Sequence, residues 1–109
     1  MRVYISGAIT GTNDFMKRFK AVEDRLTSEG MSVINPAHAN SYMPKDTTYE
    51  EYMKVSFCLL DMCEAIYMMS GWEKSCGANR EYGYALAKDK TIMFENEIGD
   101  CMGGEAWIS

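Results

Sequence analysis

Ala65-Ile66-Tyr67-Met68-Met69-Ser70-Gly71-Trp72 is the stretch that decides the fold. Its apolar run has no polar alternation, then stops abruptly at Ser70-Gly71. A strand covered on both faces reads this way, and such strands belong to parallel sheets. Upstream, Val3-Tyr4-Ile5-Ser6 is a second short apolar run ending at a glycine, Gly7. Residues 7–13 read as a loop. Phe15, Phe19, Val22 and Leu26 then recur at helical spacing, with Thr12 or Asn13 able to cap the helix and Gly30 to end it. Met31-Ser32-Val33-Ile34 is the next strand, stopped by Asn35-Pro36, and residues 37–47 read as a polar loop. Thr48-x-x-Glu51 and Thr47-x-x-Glu50 are both capping-box patterns. They open a helix running to about Cys63, with Tyr52, Val55, Leu59 and Cys63 on one face. Downstream of the deciding stretch come a helix over about Ala78–Lys88 and a strand, Thr91-Ile92-Met93-Phe94. The acidic, glycine-containing tail reads as loop, with a short element at Ala106-Trp107-Ile108.

Strands and helices thus alternate. That order predicts one α/β domain over residues 1–109: a three-layer sandwich with a parallel sheet of four to five strands. Such sheets bind ligands in the crevice beyond the carboxyl ends of their strands. Those ends carry Ser6-Gly7, Asn35-Pro36, Ser70-Gly71-Trp72-Glu73 and Phe94-Glu95.

Composition narrows the partners. The formal net charge is -5 and the basic residues are scattered among acids. A nucleic-acid polymer is not an expected partner, because backbone binding rests on clustered positive charge. The apolar runs are too short to cross a membrane, and the N-terminus turns polar at once, so a cytoplasmic protein of a bacterium or a phage-infected cell is expected. Cys58, Cys63, Cys76 and Cys101 form no C-x-x-C pair and His38 is the one histidine, so neither a metal nor a cofactor is expected. The thiols should be free, with Cys58 and Cys63 in the core. His38 reads as a solvated or locally bonded loop residue. Asp61 and Glu64 read as surface acids, Asp61 within possible reach of a site.

Two patterns carry chemistry. Gly7-x-x-x-Gly11 lets backbone amides approach a ligand closely, although a tight turn without a ligand would use the same glycines. Ser75-x-Gly77-x-x-x-Glu81 is sharper. Ser75 and Gly77 sit where a helix begins and can face an anion, and Glu81 lies about one turn in, near the mouth of the sheet. A glutamate there can simply compensate the helix dipole. Against that, Trp72, Tyr82 and Tyr84 surround it in sequence, as aromatic walls on which a base or sugar ring could pack, or as plain packing residues.

At these residues the chain resembles the nucleoside 2-deoxyribosyltransferase superfamily, and within it looks most like a family of small, often phage- or prophage-encoded proteins of unassigned activity. The resemblance covers residues 1 to about 94. It rests on Arg2-Val3-Tyr4-Ile5-Ser6-Gly7-Ala8-Ile9-Thr10-Gly11, on Asn35-Pro36, on residues 63–75 and on residues 77–87. It implies a flavodoxin/Rossmann-like sheet, a nucleoside or nucleotide as the small-molecule partner, a homodimer or larger homo-oligomer, and cleavage or transfer at an N-glycosidic bond. Glu81 matches the family's nucleophile on the sugar, Tyr4 a tyrosine that positions that carboxylate, and Ser75 a serine that binds phosphate in the family's 5′-monophosphate hydrolases. Ser6, Gly7, Gly11, Asn35, Ser56, Gly71, Trp72, Glu73 and Gly77 complete the expected ligand-binding set. One position departs. The family places an aspartate eight residues before the acid that opens the third strand; counting back from Glu64 gives Ser56, which cannot donate a proton as a carboxylic acid can. Asp61 or Glu73 substitutes, or that step is lost.

Two functions are therefore expected alternatives. One is an N-glycosidase or deoxyribosyltransferase with Glu81 as nucleophile. The other is a non-catalytic binder that sequesters or senses a nucleotide-derived molecule. The balance favours the first, because more site residues match than depart.

Overall fold

The computed structural model describes residues 1–9 and 13–95. Gly11, Thr12, Cys101 and the suggested element at residues 106–108 lie outside them. Four strands, β1 (Arg2–Ser6), β2 (Ser32–Ile34), β3 (Ala65–Met68) and β4 (Thr91–Phe94), form one parallel sheet in the order β2-β1-β3-β4. Chain order reverses between β1 and β3, so a crevice opens beyond their carboxyl ends, the place where flavodoxin-like sheets hold ligands.

Period-two alternation on the central strands divides the core into two layers. Val3 and Ile5 of β1, with Ala65, Tyr67 and Met69, pack against Phe19, Val22 and Leu26 of helix α1 (Phe15–Ser28). Tyr4, Ile66 and Met68 face the other way, against Leu60 of α3 (Tyr49–Asp61) and Ala78 and Ala85 of α4 (Cys76–Ala87). This is the expected three-layer α/β sandwich. Its centre is dry: Val3, Tyr4, Ile5, Ala65, Ile66 and Tyr67 have no exposed surface. That burial explains the unbroken apolar run of β3.

Local rules account for most boundaries. Gly30 takes φ +92° just past the end of α1, a conformation that costs glycine little. The Thr48–Glu51 capping box forms with both bonds in place, at 2.8 and 3.1 Å. The Thr47–Glu50 alternative does not; the Thr47 hydroxyl donates to the Pro44 carbonyl at 2.6 Å instead. At the start of α1 the N-cap is Asp14 rather than Asn13, without a side-chain capping bond.

Four expectations are corrected. Residues 36–40 are not loop but a short helix, α2 (Pro36–Asn40), with Asn35 as N-cap and proline at its first position. Proline there sacrifices no hydrogen bond and arrives with φ pre-set. The buried stripe of α3 is Met53, Ser56 and Leu60, one residue on from Tyr52, Val55 and Leu59, which are only partly buried; Cys63, just past the helix end, is buried as expected. Cys58 is exposed rather than in the core. Helix α4 also starts two residues early, at Cys76, because Ser75 caps it by accepting from the Ala78 amide at 3.1 Å.

Candidate functional site

The same alternation that sends Val3 and Ile5 toward α1 sends Tyr4 and Ser6 toward α4, where Glu81 descends to meet them. The Tyr4 hydroxyl donates to Glu81 Oε2 at 2.7 Å and the Ser6 hydroxyl to Oε1 at 2.6 Å. All three are buried, Glu81 at 7% exposure. A carboxylate in that position is costly unless it is hydrogen-bonded. Burial pushes the Glu81 carboxyl up from its ordinary value, while the hydroxyls of Ser6, Tyr4 and Ser56 favour the ionised form and oppose the rise. The Tyr4 hydroxyl is itself held well above its ordinary range, first by burial and then by the neighbouring Glu81 charge, so it stays a proton donor.

Glu81 lies at the wall of a cavity of about 330 Å³, within the range of small-molecule pockets. Gly7, Ser56, Ser75 and Gly77 also line it. One of these glycines, Gly7, is there for space. A Cβ on Gly7 would lie 3.0 Å from Met69 Cβ and Sδ. One on Gly77 would make only ordinary contacts, with Met53 Sδ at 3.5 Å and the Tyr49 hydroxyl at 3.8 Å. The remaining walls are largely apolar and aromatic: Ile9, Phe15, Met16, Tyr49, Tyr52 and Met53, with Asn40 and Ser41 from the end of α2.

Sequence reading did not assign these wall residues to a site. Two signals pointed to them. Asn35-Pro36 is a helix start, which makes Asn40 and Ser41 part of an ordered wall. Met53-Ser56-Leu60 is an apolar stripe interrupted by one serine, and that serine faces Glu81's cavity.

Besides Ser6, which meets the site through its bond to Glu81, four of the expected ligand-binding residues do not line this cavity. Asn35 accepts from the Ala37 and His38 amides as the α2 cap and donates to Glu23 Oε1 at 3.1 Å. Gly71, at φ +87°, turns the chain from β3 into a short 3-10 turn, Trp72–Lys74. With Glu73 it lines a separate outer cleft. Trp72 packs on Tyr82 and Phe94 at ring separations of 4.8 and 6.2 Å. Tyr84 stacks on Phe57 at 4.6 Å and donates to Asp61 at 2.7 Å. The aromatic residues adjacent to Glu81 in sequence are therefore not its walls. Successive helical residues diverge by about 100°, so Tyr82 and Tyr84 leave on other faces of α4. Asp61 is exposed and turned to Tyr84, and His38 is exposed with its ring edge toward Tyr42.

An α/β sheet of this order, with a hydroxyl-bound, buried carboxylate beside a cavity at its switch point, defines the class of protein by its fold: a flavodoxin/Rossmann-like α/β domain. Among solved structures, a 2-deoxyribosyltransferase from Bacillus psychrosaccharolyticus superposes with a TM-score of 0.70, covering 86% of this chain and 71% of that one at 14% identity. At that identity the likeness is one of fold. A family profile described as "Domain of unknown function (DUF4406)" matches residues 1–94, and the chain belongs to that family. No curated protein matches the sequence significantly. Among the described residues no helix is long and apolar enough to cross a membrane.

Proposed function

We propose that this chain acts on the N-glycosidic bond of a nucleoside or nucleotide, with Glu81 as the nucleophile. The observation that carries the reading is the Glu81 carboxylate itself: buried, fixed through both oxygens by Tyr4 and Ser6, and facing a cavity of nucleoside-ligand scale. The step balances. A Glu81 oxygen forms a bond to the anomeric carbon as the C–N bond breaks, and the departing electron pair goes to the base, which takes up a proton. Water or a second base then opens the sugar ester and regenerates the carboxylate. Tyr4 and Ser6 orient Glu81, and their hydroxyls favour its ionised form against the effect of burial. Ser75 and Gly77, at the α4 N-terminus, serve the 5′ side of the sugar. The fold shared with a 2-deoxyribosyltransferase supports this reading. The test is chromatography of free base released from ribo- and deoxyribonucleosides and their 5′-phosphates, with wild-type protein and Glu81→Gln. Base release by the wild type alone is expected; equal release by the variant overturns the assignment.

A second reading, a binder that retains a nucleotide-derived molecule intact, is favoured by one observation. Ser56 occupies the cavity, whereas Asp61 and Glu73 stand outside it, so among the described residues Glu81 is the cavity's one carboxyl group. A leaving base would then lack an acid to protonate it. Ser56→Asp restores one beside Glu81, where like charge and burial keep a second carboxyl protonated. General acid catalysis is worth roughly 10²–10⁴-fold, so base release should rise by at least about tenfold in this variant. An unchanged rate would show that protonation is not what limits the wild type.

A further inference from the structure

An outer cleft of about 1150 Å³ adjoins the Glu81 cavity of about 330 Å³ and shares Tyr49, Ser75 and Gly77 with it as a common wall. Its chemistry is unlike the rest of this acidic chain. Arg18 of α1, Lys74 of the 3-10 turn and Arg80 of α4 all line it. Arg80 is neutralised, since it forks onto both Glu50 carboxylate oxygens at 3.0 and 3.3 Å. The other two are not. Among the described residues neither Arg18 nor Lys74 has an acid within ion-pair distance, and the Arg18 guanidinium donates only to the neutral Ser70 carbonyl, at 3.4 Å. Glu73 lines the same cleft and offsets part of this charge, and Glu95 lies in the adjoining groove with Arg18, its carboxylate taken by the Ser70 amide at 2.7 Å.

We propose that this cleft accepts a phosphate chain longer than a single phosphate, so that the substrate class of the Glu81 site is a nucleoside 5′-diphosphate or a derivative of one. The inference rests on the nucleoside reading of the inner cavity. With the sugar against Glu81, its 5′ substituent leaves over the shared Ser75–Gly77 wall. The first phosphate meets the start of α4 there, where the Cys76 and Gly77 amides have no acceptor among the described residues. Arg18 and Lys74 reach the cleft from other elements and are left to a second phosphate. A free nucleoside would leave this cleft empty. A monophosphate would leave those two cations unmatched.

Calorimetry with inorganic pyrophosphate and orthophosphate on the full chain tests the cleft without knowing the base. Pyrophosphate should bind at least about tenfold tighter, since one additional charge-assisted contact is worth about that factor. The preference should vanish in Lys74→Gln and Arg18→Gln and persist in Lys74→Arg and Arg18→Lys, which keep the charge. Equal binding of the two anions, or a preference untouched by both neutral variants, overturns the proposal. The same titration on Glu81→Gln separates it from the catalytic reading. That variant should keep the pyrophosphate preference, so absent base release with an intact preference strikes the nucleophile assignment and not the cleft.

Discussion

Tyr4→Phe removes one hydroxyl, 2.7 Å from Glu81 Oε2, and nothing else from the core. The effect should fall on the protonation of Glu81. Burial already raises this carboxyl above its ordinary value of 4.5, and Tyr4 is among the groups opposing that rise. A hydrogen bond to a charged group contributes about 1.5–3 kcal/mol. Losing it disfavours the carboxylate and drives the titration midpoint further up. As a transition-state effect the same loss corresponds to a ten- to hundredfold lower kcat/KM, roughly, at a pH where the wild-type carboxylate is ionised. The assay is carbon NMR of selectively labelled glutamate carboxyls across a pH titration, with Glu81→Gln to assign the resonance. The wild-type midpoint should lie above the ordinary carboxylate value, and the Tyr4→Phe midpoint higher still. A midpoint that stays put or falls refutes the claim that Tyr4 holds Glu81 ionised.

Stability should respond to the same group. With its folded-state pKa raised above the unfolded value of 4.5, Glu81 binds its proton more tightly in the folded chain, so its contribution is intact below pH 4.5 and is lost as pH climbs through the folded midpoint. Glu81→Gln, which never ionises, should melt above wild type at pH 8, and the gap should close as pH falls toward 4.5; a gap independent of pH contradicts this. Gly7→Ala forces a Cβ to 3.0 Å from Met69 and should cost about 1–3 kcal/mol in chemical denaturation, as overpacking does; a neutral result would mean that Met69 yields freely. Asn35→Ala should cost about 1 kcal/mol as a lost N-cap while leaving ligand affinity unchanged, and a large affinity loss would show that Asn35 reaches the ligand.

The sheet was legible because its central strands are covered on both faces. Burial on two sides favours apolar residues in the middle of β1 and along β3, and the runs at residues 3–5 and 65–69 record that directly. Helix α1 was equally plain, because its buried residues Phe19, Val22 and Leu26 pack into an apolar cluster with the sheet and keep the helical period unbroken. Helix α3 was misphased by one position, and the reason is Ser56: the site interrupts the apolar stripe, so a face scored on hydrophobicity drifts to Tyr52, Val55 and Leu59. Helix α2 was missed because its five residues are too few to show periodicity, leaving the Asn35-Pro36 start signal as the only trace. Within the site, Tyr4, Ser6, Gly7, Ser56, Ser75, Gly77 and Glu81 are brought together as the sequence pattern placed them. Tyr82 and Tyr84 are not, because adjacency to Glu81 along a helix is separation around it, and Trp72, on the 3-10 turn, packs on Tyr82 and Phe94 instead. The true walls, Tyr49, Tyr52 and Met53 among them, come from a helix distant in sequence, and local spacing cannot report a contact made by the sheet's topology.

The most direct test of the central claim is intact-protein and peptide mass spectrometry after acid quench, with the chain incubated with ribo- and deoxyribonucleosides and their 5′-mono- and diphosphates. The account predicts a mass gain equal to the sugar or sugar phosphate of one of these compounds, mapped to the peptide that contains Glu81 and missing from Glu81→Gln. Free base released with no adduct on Glu81, and released equally by the variant, would contradict it.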